Sequence, residues 1–414
     1  MLIFDHHRRM WLRVGSAAAC FAAIMGFSRL AYGVLIPGMR DALGGSVGLY
    51  GAIGGANMVG YLVGSLLTTR LARRPDRSRV NTAALLAMCA AMAACGLVRE
   101  PLALGVLRFA VGVASGIALA LTLALAVERV PAARRGLAAA IVWGGGCAGI
   151  ALVGAASGFA NAASPDAWRA GWIAMGLVGA ACTIVFARLT GGSFAAGERR
   201  DDGGAVGLFA RGRYRALTLA YFAFGAGYID VVTFFGASLA RAHGLPLGAV
   251  WTLLGVSGLA GIMIWGPLVD RLRSGVPVAI ACAACALGAA LVATGTAAGA
   301  FAGALAIGIS FIGVPAMVGA LLQQREPGER YPRAFASMTV MLGIGQILGP
   351  LAGGVIADRL GTAAAVEAGA LALGVAALCA AFYAKPENRP TRFIEPTPAV
   401  RCTPTQTCVI AAAP

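Results

Sequence analysis

The sequence predicts an all-α integral membrane protein, with twelve transmembrane helices in two pseudo-symmetric six-helix bundles. Three observations lead there. Of the 414 residues, 59% are apolar and only 12% charged, about half the charge of a soluble domain, and mean hydropathy is +0.80. The apolar residues fall into runs of the ~20 residues a helix needs to cross a bilayer. Period-two alternation, the mark of an outer-membrane barrel, is absent. Finally, the basic residues sort to alternate loops between those runs.

The first span covers about residues 12–37. It follows His6, His7, Arg8 and Arg9, a start that resembles a signal peptide. The apolar run continues through Met25 to Pro37, longer than a signal core, so the segment reads as a retained helix. Spans two to six follow at about 49–69, 80–98, 102–127, 136–160 and 169–189. Residues 190–214 form the longest connection and hold Glu198, Arg199, Arg200, Asp201, Asp202 and several glycines. They divide the chain into an N-terminal bundle (1–189) and a C-terminal bundle (215–384), joined by a cytoplasmic linker. Spans seven to twelve lie at about 215–240, 249–269, 276–297, 301–323, 335–357 and 363–384. Helices are required because lipid leaves backbone groups only intrahelical partners. The 59 glycines fit helices that approach closely. Pro315 and Pro350 predict bends. Residues 385–414, rich in Pro, Thr and Arg, read as a disordered cytoplasmic tail.

Charge sets the topology. With the N-terminus cytoplasmic, segments on that side carry 26 basic residues. The other side carries five, Arg40, Arg99, Arg169, Arg241 and Arg359. A miscounted span would exchange the sides from that point on and spoil the asymmetry, so both termini are expected in the cytoplasm.

Several function classes drop out. The net charge of +16 belongs to short loop clusters rather than a nucleic-acid surface. Eight of ten cysteines lie in apolar runs; Cys282 and Cys285 have C-x-x-C spacing but no framing strand, turn or basic neighbour, so they read as small packing residues. The only lysine, Lys385, follows Ala384, so there is no phosphate-binding Gly-Lys pair for ATP hydrolysis. Adjacent His6 and His7 do not have metal-ligand helical spacing. No metal or cofactor is therefore expected, and a membrane-embedded enzyme is the weakest alternative. A channel would need a continuous polar pore, which three scattered intramembrane charges do not define.

Those three charges are the candidate site, because a charge at mid-membrane costs about 2.5–3.5 kcal/mol on insertion scales and faces a cavity or partner. Arg29 lies two-thirds along span one, with Tyr32 three residues on and on its face. The pair suits an anionic or hydrogen-bonding substrate: the guanidinium donates two bonds, the phenol orients. Arg108, about six residues into span four, is read either as a substrate or proton-tuning group or as snorkelling to the interface. Asp230 sits mid-way along span seven, with Thr233 on its face. Asn57 and Gln346 are intramembrane amides, and Tyr221 and Tyr228 share a face of span seven. Glu367, near the start of span twelve, is assigned to the interface.

The halves also look related. Gly64-Ser-Leu-Leu-Thr68 ends span two, and Gly266-Pro-Leu-Val-Asp270-Arg271 ends span eight, about 200 residues on. Such repeats suggest a transporter with its site between the halves. Aligning Gly64 with Gly266 sets Asp230 opposite Ser28 and at nearly the depth of Arg29. Arg29 and Asp230 are then expected to pair when the outer gate is shut, with proton or substrate binding breaking the pair.

Gly266 through Arg271 and Arg273 resemble the G-x-L-x-D-R signature of the major facilitator superfamily. The equivalent loop after span two departs from it, with Thr68 in place of the acid. Leu104-Gly-Val-Leu-Arg108-Phe-Ala-Val-Gly112 resembles the span-four pattern of proton-coupled members. Gly345-Gln346-Ile-Leu-Gly349-Pro350 is similar to an exporter motif, displaced to span eleven. Within the superfamily, Gly26-Phe27-Ser28-Arg29-Leu30-Ala31-Tyr32-Gly33, then Asn57, Gly60, Tyr61 and Gly64, resemble the bacterial YbfB/YjiJ branch. The resemblance implies the major facilitator fold, transport by alternating access in a bacterial inner membrane, and a conformational latch at Gly266, Asp270 and Arg271. The expected partners are a small-molecule substrate, protons and the lipid bilayer, with no nucleic acid and a monomeric carrier. Two Arg against one Asp favour a small organic anion; export of amphipathic or cationic compounds is the alternative.

Overall fold

The computed structural model describes residues 2–72, 76–160, 166–190, 214–239, 245–326 and 330–383. Among them, twelve helices are long and apolar enough to cross a membrane: His7–Leu30, Val47–Thr68, Arg77–Cys95, Pro101–Val127, Ala132–Ser157, Ala167–Thr190, Arg215–Leu239, Leu247–Val269, Val276–Ala293, Ala297–Arg325, Ala334–Leu360 and Thr362–Phe382. These are spans one to twelve below. The expected linker and C-terminal tail lie outside the described residues.

Local chemistry sets the span ends. Ser46 caps span two by accepting from the Leu49 N–H, and Thr296 caps span ten by accepting from the Gly299 N–H; such caps satisfy otherwise orphaned helix amides. Pro101 opens span four, where its missing N–H has no intrahelical role. Span one differs from its sequence reading. An α-helix Leu2–Phe21 continues as a π-helix Ala22–Leu30 and then as an α-helix Tyr32–Leu43 that contains Pro37. Hydropathy marks only the apolar part of this rod. Span ten is interrupted at Ile312, between helices Ala297–Phe311 and Gly313–Arg325. Pro315 has no N–H to offer the Phe311 carbonyl, which accounts for the break. Pro350, by contrast, lies inside the continuous helix Arg330–Leu360.

Glycine governs packing within each half. In the first, Gly60 and Gly64 of span two abut the backbone of Phe109 and Val113 in span four, and Gly112 and Gly116 reciprocate against Asn57 and Tyr61. Gly145 and Gly149 of span five pack on Ala18 and Ala22 of span one. The second half repeats the scheme: Gly261 of span eight meets Ile309 of span ten, and Gly345 and Gly349 of span eleven meet Phe222 and Ala226 of span seven. A methyl group at these positions would strike main chain, so the small residues set the helix separations.

The main contacts between the halves pair spans one with seven, two with eleven and five with eight. The described chain starts and ends on one face, the terminal face, because twelve is even. The halves are tightest towards the other, the distal face. There Gly33 abuts the Val232 carbonyl, Gly48 abuts Gly354, and Gly154 meets Gly248 and Thr252. Towards the terminal face, a side chain begun at Gly136 of span five or Gly266 of span eight would find nothing within 4 Å.

Candidate substrate site

The π-helix positions the first candidate side chain. The Ala31 N–H bonds the Gly26 carbonyl at 2.8 Å, five residues back, which widens the turn around Arg29; such insertions recur at functional sites. Arg29 is 6% exposed. Its Nη2 donates to Gln346 Oε1 at 3.0 Å and to the Met58 sulfur at 3.4 Å, and its Nη1 donates to the Met25 sulfur at 3.6 Å. Its guanidinium lies 4.1 Å from the Tyr61 ring centroid, a cation–π distance. Nε has no hydrogen-bond partner. Among the described residues no carboxylate pairs with Arg29.

Gln346 relays this contact across the interface between the halves. Its Nε2 donates to Tyr228 Oη at 2.7 Å, so one amide joins span eleven to spans one and seven. The Tyr228 ring stacks on Phe224, with centroids 4.9 Å apart and planes 17° from parallel. Tyr228 is thereby held with its hydroxyl towards Gln346. Tyr221 is buried and stacks on Phe224 from one turn earlier, a packing role.

Arg108 does not snorkel. It is fully buried, and its Nη1 donates to the Ser28 carbonyl. The guanidinium sits 4.5 Å from the Tyr32 ring and 5.3 Å from the Trp172 ring. Its own carbonyl accepts from Asn57 Nδ2 at 2.8 Å. Tyr32 Oη donates to the Tyr50 carbonyl at 2.7 Å. Arg108, Tyr32 and Asn57 therefore clamp spans one, two and four around the residue next to Arg29. They hold span one beside a buried polar cluster of Arg29, Tyr61, Gln346 and Tyr228, the candidate site.

The expected Arg29–Asp230 pair is not formed here, although the halves are tight at the distal face. Asp230 is 3% exposed, and its Oδ1 has no partner. The carboxyl is turned to Gly353 of span eleven and Gly369 of span twelve; a Cβ at Gly353 would strike Oδ1, and one at Gly369 would lie 2.9 Å from Oδ2. Similar depth along neighbouring helices does not bring two side chains together; azimuth decides contact. Residue 230 is two positions past Tyr228, about 200° around the helix, so it points away from the side that reaches Gln346.

The expected latch divides. Gly266 is free of close contacts, Arg271 is exposed, and the Asp270 side chain lies outside the described residues. In the first half, Thr68 donates to the Gly64 carbonyl at 2.8 Å and is part of the helix crossing. An ion pair stands nearby instead: Arg77 at the start of span three bonds Glu128 just after span four at 2.6 Å. Glu367 is exposed. No group of metal-binding residues occurs among the described residues.

Tyr61, Met25, Met58 and Trp172 were not assigned to the site from sequence. Tyr61 had a usable signal, since it lies one turn from Asn57 and shares its face. Trp172 and the thioethers had none, because apolar side chains in apolar helices look alike before packing.

Comparison with known proteins gives the family. The family model described as "Uncharacterised MFS-type transporter YbfB" matches residues 21–383. A gallate transporter of Pseudomonas putida is 28% identical over 385 residues, covering 81% of this chain and 84% of the relative. The solved nucleoside transporter NupG superposes with a TM-score of 0.72 at 15% identity, covering 90% of this chain and 98% of that one. A bacterial homologue of the human lysosomal transporter Spinster, solved inward-facing and unoccupied, gives 0.70 at 14% identity, covering 91% and 95%. The chain belongs to the YbfB-type family of major facilitator transporters. It is a multi-pass membrane transporter and not an enzyme.

Proposed function

We propose that this member of the YbfB-type family is a secondary carrier that moves a small organic anion across a bacterial inner membrane by alternating access, coupled to protons. One observation carries the anion preference: Arg29 is a buried cation between the halves without a carboxylate partner among the described residues. A buried charge is stable only when paired and hydrogen-bonded. Gln346 supplies one neutral oxygen and the methionines supply weak sulfur acceptors. A substrate carboxylate is the natural remaining partner, since guanidinium and carboxylate match as a two-bond fork. Tyr61 and Tyr228 would flank it with ring faces and hydroxyls. The Pseudomonas putida relative is named a gallate transporter, which places aromatic carboxylates first among the anions to test.

Coupling rests on Asp230, whose unbonded oxygen sits in a seam of spans seven, eleven and twelve. Tyr228 is two residues away on span seven, and Gln346 lies seven residues before Gly353 on span eleven. A proton on Asp230 would thus act on the same two helices that present the partners of Arg29. The basic-residue count orients the terminal face to the cytoplasm, so the tight distal face reads as a closed outer gate. The same acid supports the second reading, export of lipophilic cations.

The test is thermal stabilisation of the detergent-purified protein by two panels, small carboxylates including gallate, and lipophilic cations. A ligand that binds only the folded state raises its apparent stability. Stabilisation by carboxylates that disappears in Arg29→Ala supports the anion carrier. Stabilisation by cations that disappears in Asp230→Asn overturns it in favour of the exporter.

A further inference from the structure

At the distal face the Asp358 carboxylate joins the two halves. Asp358, near the end of span eleven, accepts the Gly48 N–H at Oδ1 (2.9 Å) and the Ser46 hydroxyl at Oδ2 (2.7 Å). Gly48 and Ser46 belong to the first turn and N-cap of span two. The first helix amides carry partial positive charge and lack intrahelical acceptors. Ser46 itself satisfies the Leu49 amide at 3.2 Å, so Asp358 and Ser46 serve different amides of the same turn. Glycine at 48 is what admits the contact: a side chain there would occupy the place of Asp358 Oδ2, and one at Gly354 would come within 2.9 Å of the Gly48 Cα.

This contact crosses the interface between halves, at the end where spans one and seven also touch through Gly33 and Val232. Both Asp358 and Ser46 are open to solvent on the distal side. An opening of the distal face must part span two from the end of span eleven, and both bonds then break. The sequence points to a latch at the end of span eight, on the terminal face. The Asp358 contact stands at the other end of the molecule.

We propose that Asp358 is the latch of the distal gate: its carboxylate caps span two across the interface, holds that gate shut, and sets the balance between the two access states. The proposal rests on the alternating-access reading and is independent of the substrate. Both bonds are open to solvent, so together they are worth well under a buried pair and move a two-state equilibrium roughly tenfold.

The experiment places a cysteine at Thr233, which is 6% exposed in the closed seam. Labelling by a membrane-impermeant maleimide is followed from each side, in right-side-out and inside-out vesicles, with the chain lacking the reporter as background. Asp358→Ala is expected to raise the distal-side labelling rate roughly tenfold and to lower labelling from the other side. Asp358→Asn, which keeps an oxygen acceptor but loses the charge, is expected to fall between. Should Asp358→Ala fail to fold, Asp358→Asn alone decides. Labelling from the distal side at the parent rate in a folded variant overturns the latch. A reporter that never labels from the distal side, with or without substrate and in every variant, overturns the alternating-access reading itself, so the two failures are distinct.

Discussion

Removing Arg29 should leave the empty carrier nearly as stable while weakening anion binding by about two orders of magnitude. Consider Arg29→Met, which fills similar volume beside Met25 and Met58. The substitution loses a charge-assisted bond to Gln346, worth about 1.5–3 kcal/mol, and a cation–π contact to Tyr61 of about 1–2 kcal/mol. It removes a burial penalty of several kcal/mol for a charge with no carboxylate partner. These terms nearly cancel, so the ligand-free stability should change by less than about 2 kcal/mol. The ligand tells the other half. Losing a two-bond fork to a carboxylate forfeits about 3 kcal/mol, roughly a 150-fold weaker complex. At a ligand concentration of about 100 times the parent Kd, stabilisation falls from about 2.7 to about 0.3 kcal/mol. Thermal unfolding in detergent, with and without the stabilising carboxylate, measures both numbers. A variant that loses more than about 4 kcal/mol when empty, yet keeps its ligand shift, would refute the reasoning and make Arg29 a structural clamp.

Arg108→Leu should behave oppositely: it strips the Ser28 carbonyl of its donor and the Tyr32 and Trp172 rings of their cation, and the empty protein should lose about 2–4 kcal/mol by thermal unfolding. Gly33→Ala drives a methyl into the Val232 carbonyl; uptake in vesicles should fall at least tenfold because the distal gate cannot shut, and unchanged uptake would count against that gate. Asp230→Asn should retain substrate counterflow and lose acceleration by an inward proton gradient, since the amide cannot carry the proton; a variant that still accumulates substrate with the gradient removes Asp230 from coupling. Glu128→Gln should destabilise by under about 1 kcal/mol, because the Arg77 partner is buried but the glutamate is one-third exposed; chemical denaturation would read the shift.

The site was half legible in the sequence, and the division is physical. Arg29, Arg108 and Asp230 stood out because charge within an apolar run is expensive wherever it faces, so composition alone marks it. Gln346 and Tyr228 were marked as intramembrane polar groups, but not as partners of Arg29. Gln346 lies 317 positions from Arg29, and only the closure of span eleven over spans one and seven brings it within 3.0 Å. The Asp230 expectation shows the same limit. Pseudo-symmetry predicts only a depth, whereas direction depends on helix rotation, which glycines at 353 and 369 permit and no local pattern announces. The π-helix in span one also escaped, since an extra residue in a turn changes no hydropathy. The Asp358 contact was hidden because an acidic residue at a helix end reads as a solvated terminus.

By itself, then, the sequence determined that the chain crosses a membrane twelve times and carries costly charge inside it. Those are one-dimensional facts: transfer free energy adds along the chain, and each helix satisfies its own backbone. Which charges are neighbours was decided only by tertiary structure. Contact between helices depends on rotation, depth and separation together, and here glycine-to-backbone packing fixes all three. That packing separates Arg29 from Asp230, gives Arg29 to Gln346, and lets Asp358 reach across to span two.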